Sequence, residues 1–186
     1  MKKTILMLVI VAMSINLNAQ DKKANVKGFG TATTEITWVN GKIGYNIGAY
    51  GGVLLNRKFC IGLAGNNIFF NQIINNKKEN IQFNYYGLYS EFKIKQQKNV
   101  HLSFGLTGAI GWQENKINSI DGNSRKDGDF TIVLKPKVGL NIGIAKFMQI
   151  QTYASYRFTG NTNSLNYNPN NFNGFSGGIG LSFGSF

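Results

Sequence analysis

From Val100 to Trp112 the chain alternates without a break. Val100, Leu102, Phe104, Leu106, Gly108, Ile110 and Trp112 share one face of an extended strand, and His101, Ser103, Gly105, Thr107, Ala109 and Gly111 share the other. Phe130 to Ile144 repeats the pattern, setting Phe130, Ile132, Leu134, Val138, Leu140, Ile142 and Ile144 against Thr131, Lys135, Lys137, Gly139, Asn141 and Gly143. Met148 to Thr159 does so again, with Gln149, Gln151, Tyr153, Ser155 and Arg157 opposite Met148, Ile150, Ala154, Tyr156 and Phe158. A period of two is that of a strand with one apolar face, and it excludes amphipathic helices over these stretches.

Further strands are predicted at Gly28 to Val39, Ile43 to Leu55, Phe59 to Phe70, Ile81 to Lys95 and Gly174 to Phe186. The fourth changes phase at Tyr85-Tyr86, which predicts a bulge. Asn40-Gly41 is a two-residue hairpin signal, and Asn56-Arg57-Lys58 and Ala145-Lys146 leave room only for tight turns. The links therefore run short, short, long, short, long, short, long, the long ones falling at 71–80, 113–129 and 160–173. Strands of this length exceed the roughly 9–11 tilted residues that cross a hydrocarbon layer. The expected fold is all-β: an eight-stranded antiparallel up-and-down transmembrane β-barrel. An even strand number puts both termini at the rim of the tight turns at 56–58, 96–99 and 145–147, the periplasmic one. The long links and the Asn40-Gly41 turn then face outside.

Met1 to Ala19 places Lys2 and Lys3 before an apolar run from Ile5 to Ile15, and Asn16-Leu17-Asn18-Ala19 before Gln20. This reads as a cleavable signal peptide over residues 1–19, its apolar part being too short for the roughly 20 residues of a spanning helix. Residues 20–186 then form a single barrel domain, exported to the outer membrane. Charged residues are 15% of the chain, against about 25% in soluble domains. Cys60 is the lone cysteine, so no intrachain disulfide holds the fold. Net charge is +12, and the cations gather at the tight rim as Arg57, Lys58, Lys95, Lys98 and Lys146, joined by Lys22, Lys23 and Lys27. An exported chain without a basic stripe and stacking aromatics on one face is not a nucleic-acid reader.

The face opposite the apolar one decides which side meets lipid. Pointed outward, its Gly, Ala, Ser and Thr would make a poor solvated surface; pointed inward, they fit the narrow space that eight strands enclose. The inward set then contains Glu35, Glu91, Lys93, Lys135, Lys137 and Arg157. Unpaired buried charges cost several kcal/mol, so these residues are expected to form a salt-bridged plug around Glu35 and Glu91; the alternative is that they line a small polar path, although an eight-stranded barrel is usually filled by its own side chains.

Several ordered pieces carry a resemblance: Val39-Asn40-Gly41-Lys42, Gly51-Gly52-Val53-Leu54-Leu55-Asn56, Phe59-Cys60-Ile61-Gly62-Leu63, Tyr89-Ser90-Glu91-Phe92, Val100-His101-Leu102-Ser103, Lys135-Pro136, Tyr156-Arg157-Phe158-Thr159-Gly160 and Phe183-Gly184-Ser185-Phe186. Together they resemble an uncharacterised family of small outer-membrane β-barrel proteins from Bacteroidetes, of OmpA/OmpX-like architecture. The resemblance implies a signal peptide and a barrel, and it brings no activity. Expected partners are outer-membrane lipid and lipopolysaccharide, with the outer-membrane assembly machinery reading the terminal Phe186; the barrel is expected to be a monomer. Phe186 looks like that machinery's sorting signal, yet Gly184, Ser182 and Gly180 occupy the phase that is usually apolar, while Phe183, Leu181 and Ile179 hold the other. A bulge near Gly184 would restore the register.

Two further chemistries merit weighing. His101-x-Ser103 looks like the His and Ser pair of outer-membrane lipid A deacylases, since residues two apart in a strand share a face. Against that reading, the pair lies beside the tight rim and has only Glu91, on a neighbouring strand, as an orienting acid. A soluble periplasmic barrel carrying an apolar ligand is the other alternative. One His, one Cys and scattered acids give no metal-ligand spacing, and no cofactor motif is present. Asp121-Gly122-Asn123 and Asp127-Gly128-Asp129 lack the Glu of a calcium loop and read as turns.

Overall fold

A computed structural model describes residues 25–39, 42–74, 77–94, 99–115, 130–160 and 172–186. The eight strands are β1 Val26–Val39, β2 Lys42–Leu55, β3 Phe59–Ile74, β4 Lys77–Ile94, β5 Val100–Asn115, β6 Phe130–Ala145, β7 Met148–Thr159 and β8 Gly174–Gly184. Each pairs antiparallel with its successor, and β8 returns to β1 to close the barrel. Closure leaves no strand edge with unpaired backbone groups.

The turn between β2 and β3 shows how tightly the termini rim is built. The Lys58 amide donates to the Leu55 carbonyl at 3.0 Å, with Asn56 at φ 51° and Arg57 at φ 56°. Two left-handed residues in a row are the geometry whose twist matches paired strands. Asn56 also donates from its amide to the Asn25 carbonyl at 2.9 Å, tying the start of β1 to this turn.

Three expectations change. The link at 71–80 is not a large loop: β3 and β4 continue to the pair Ile74 and Lys77, leaving only 75 and 76 between them. Alternation weakens there in sequence, but the ladder does not depend on it. No bulge interrupts Tyr85-Tyr86, whose register with both neighbours is continuous. The inward phase simply carries Phe83, Tyr85 and Tyr89, which are buried, so apolar character moves from one face to the other without a backbone slip. The described irregularity lies instead between Gly143 and Ala145 on β6. Pairing of β8 is also continuous, with β1 through Gly184 and with β7 through Phe183, so no bulge resets the C-terminal phase. Residues 1–24, where the leader is expected, Asn40-Gly41, residues 95–98, and the links at 116–129 and 161–171 lie outside the described residues.

Outward faces are apolar on every strand: Leu63, Leu88, Ile132 and Phe175 are each 67% exposed, and β5 adds Leu102, Phe104, Leu106 and Ile110. A soluble monomer does not present a contiguous apolar belt of this extent. Inside, the filling is layered. Toward the termini rim Leu54, Cys60, Ala64 and Tyr89 pack with Phe29, Tyr50 and Phe186. Toward the opposite rim Val39, Ile68, Phe83, Tyr85, Ala109, Val133 and Phe172 form a second apolar cluster. The charged residues lie between and beside these layers.

Candidate functional site

All six predicted interior charges are buried: Glu35, Glu91, Lys93, Lys135, Lys137 and Arg157 are each no more than 7% exposed. They divide into separate groups rather than one network. In the first, the Lys135 ammonium donates to both oxygens of Glu35 at 2.6 and 2.8 Å and to the Tyr85 hydroxyl at 3.2 Å. The Glu35 carboxylate also accepts from Asn46 Nδ2 at 2.9 Å and from the Tyr153 hydroxyl at 2.8 Å. Every lone-pair direction of the acid is therefore used, as a charge taken out of water requires.

The second group centres on Lys137. Its ammonium lies 3.0 Å from Glu91 Oε2 and donates toward the Tyr89 hydroxyl at 2.8 Å, Gln151 Oε1 at 2.9 Å and the Tyr50 hydroxyl at 3.1 Å. Three protons are shared among four oxygens. The rings of Tyr50, Tyr89 and Tyr153 stand 4.4, 4.9 and 5.0 Å from the same nitrogen, so the cation is also held by aromatic faces. The Tyr89 hydroxyl in turn donates to Glu91. Lys93 is the looser member, 4.0 Å from Glu91 Oε1, with Gln149 Oε1 at 3.5 Å and the Phe186 ring at 4.8 Å.

Arg157 joins neither acid by a direct ion pair. Its Nε donates to the Phe172 carbonyl at 2.7 Å and Nη1 to the Thr37 hydroxyl at 3.3 Å. It thereby pins the end of the β7–β8 connection inside the mouth, where the Phe172 ring stacks on Phe83 with centroids 4.8 Å apart.

His101 and Ser103 both point inward, as their spacing requires, and are 4% and 0% exposed. Ser103 Oγ accepts from Asn141 Nδ2 at 2.8 Å and Gln151 Nε2 at 3.2 Å. A hydroxyl so placed is a fastener in an amide network and is closed to an acyl chain. Among the described residues no group of three His, Cys, Asp or Glu side chains could hold a metal ion.

Sequence reasoning named the charges and put Gln151 and Tyr153 on the polar face of their strand, but missed Asn46, Tyr50 and Tyr89 as neutral partners. The signal was available on β4, where Tyr89 lies two residues from Glu91 and so on its face. Between the two charge groups, Thr33, Asn66, Thr107 and Tyr153 help line a cavity of about 20 Å³, which is room for about one water. The barrel is filled, with no aqueous bore at this level.

No protein-family model and no curated protein matches this chain. Among solved structures, Neisserial surface protein A superposes with a TM-score of 0.67 at 10% identity, over 87% of this chain and 99% of that one. The N-terminal β-barrel domain of Pseudomonas aeruginosa OprF gives 0.56 at 9% identity, over 85% and 96%. The fold is that of a small outer-membrane barrel. Closed eight-stranded topology was legible from the alternation, and these likenesses share it.

Proposed function

We propose that this protein is a non-enzymatic barrel of the outer membrane, one that crosses with its strands and carries a sealed interior. The observation that carries the reading is the division of faces: apolar side chains outward on all eight strands, and charges with their hydrogen-bond partners inside. In this reading the leader is removed on export, the termini and tight turns lie in the periplasm, and the outer links meet lipopolysaccharide or a surface ligand. The insertion machinery reads the end of the last strand, and the barrel works as a monomer that stabilises the envelope. Membership of the Bacteroidetes family that the ordered sequence pieces resemble belongs to the same reading.

The packed polar interior disfavours a soluble carrier, which needs an apolar chamber within. The double hydrogen bonding and full burial of Ser103 disfavour a lipid A deacylase. The test is fractionation combined with electrophoresis without boiling. Recovery with the outer membrane and a faster-migrating unheated band are expected. Recovery in the soluble fraction without detergent refutes the reading.

A further inference from the structure

The rim that carries the termini is cationic, and its charges do not converge on one point. Arg57 and Lys58 are exposed in the turn between β2 and β3, and Lys146 is exposed in the turn between β6 and β7. In the closed strand order these two turns lie on opposite sides of the barrel. Lys27, at the start of β1, falls between them. No acidic side chain among the described residues lies at this rim: Glu35 and Glu91 are inside, and Glu79 and Glu114 belong to the far ends of β4 and β5.

Depth is fixed by the neighbours in sequence. Lys58 directly precedes Phe59 at the start of β3, and Lys146 lies two residues beyond Ile144 near the end of β6, and both apolar side chains are exposed, at 40% and 52%. A residue advances a strand by about 3.3 Å, whereas each headgroup layer is roughly 5–7 Å deep. Cations one or two residues beyond outward-facing apolar side chains therefore stand among the phosphates. A single soluble ligand needs groups that face one another; charges spread around a rim fit a partner that surrounds it.

We propose that this cationic rim binds anionic phospholipid headgroups of the leaflet around it, selecting them over zwitterionic ones. The inference rests on the membrane reading above. It is tested with the refolded chain in vesicles of phosphatidylcholine and in an equal mixture with phosphatidylglycerol, using spin-labelled lipids to measure the relative association of each headgroup with the protein. The expected result is preference for phosphatidylglycerol, on the order of fivefold for each cation engaged, declining as salt is raised. The variant combining Arg57→Gln, Lys58→Gln and Lys146→Gln should lose that preference and keep its heat-shifted band, while Lys42→Gln at the opposite rim should retain it. The salt dependence of the unaltered protein is a second readout should the triple variant not fold. Equal association of both lipids with the unaltered protein overturns the proposal, as does a preference that survives the triple substitution. Pelleting with purified peptidoglycan that depends on the same cations, without lipid preference, overturns it in favour of the cell-wall polymer. Failure of the unaltered chain to insert into either vesicle removes the membrane reading itself, a distinct result.

Discussion

Replacing Glu35 by Ala removes the acceptor of four hydrogen bonds at once, two from Lys135 and one each from Asn46 and Tyr153. Lys135 remains 5% exposed, with the Tyr85 hydroxyl as its remaining recorded acceptor. Breaking a buried pair by removing one partner costs about 3–5 kcal/mol, because the surviving charge is left in a dry interior. Replacing both partners, Glu35→Leu with Lys135→Met, removes the charge along with its counterion and leaves only the neutral donors of Asn46 and Tyr153 without that acceptor; the expected loss is about 1–3 kcal/mol, smaller than that of the single variant. Urea unfolding in phosphatidylcholine vesicles, followed by the fluorescence of Trp38 and Trp112 and by electrophoretic mobility, measures both variants. A single-variant loss below about 1 kcal/mol would refute the reasoning. Lys135 would then be solvated as a surface ion is, and the interior would be wet.

Arg57 holds a left-handed conformation that costs a non-glycine residue about 1–2 kcal/mol. Arg57→Gly should therefore stabilise by about 0.5–1 kcal/mol after glycine's greater unfolded entropy, read as a higher urea midpoint. Ser103→Ala should leave lipid A acylation unchanged by mass spectrometry while costing about 1–3 kcal/mol, because two buried amides lose an acceptor. Phe172→Ala removes the ring stacked on Phe83 and should cost about 3 kcal/mol, with faster hydrogen exchange at the outer ends of β7 and β8 but not near Met148.

Alternation placed the faces of β5, β6 and β7 correctly because orientation in a strand is local: each residue's side is set by its neighbour's. The same locality explains the misreading at Tyr85-Tyr86. A barrel interior accepts large rings near its ends, so hydrophobicity on β4 moves inward while the backbone keeps its phase, and no local pattern separates that from a bulge. The terminal residue behaves similarly. Phe186 packs with Leu54, Cys60, Ala64 and Tyr89 rather than on the lipid face, where Phe183 is the last aromatic.

What the sequence determined by itself is the strand inventory, the in-and-out assignment of most side chains and the identity of the buried ions, all consequences of a two-residue period and of turn chemistry. Which ion meets which was decided by closure. Lys135 finds Glu35 across 100 residues, and Lys137 meets Glu91 and not Glu35 although both lysines lie on β6. Strand tilt and stagger set the level at which each inward residue stands, and those are properties of the closed sheet as a whole. The separation of the charges into two groups, the tyrosine cage around Lys137, and the place of Arg157 beside Phe172 exist only once β8 has joined β1.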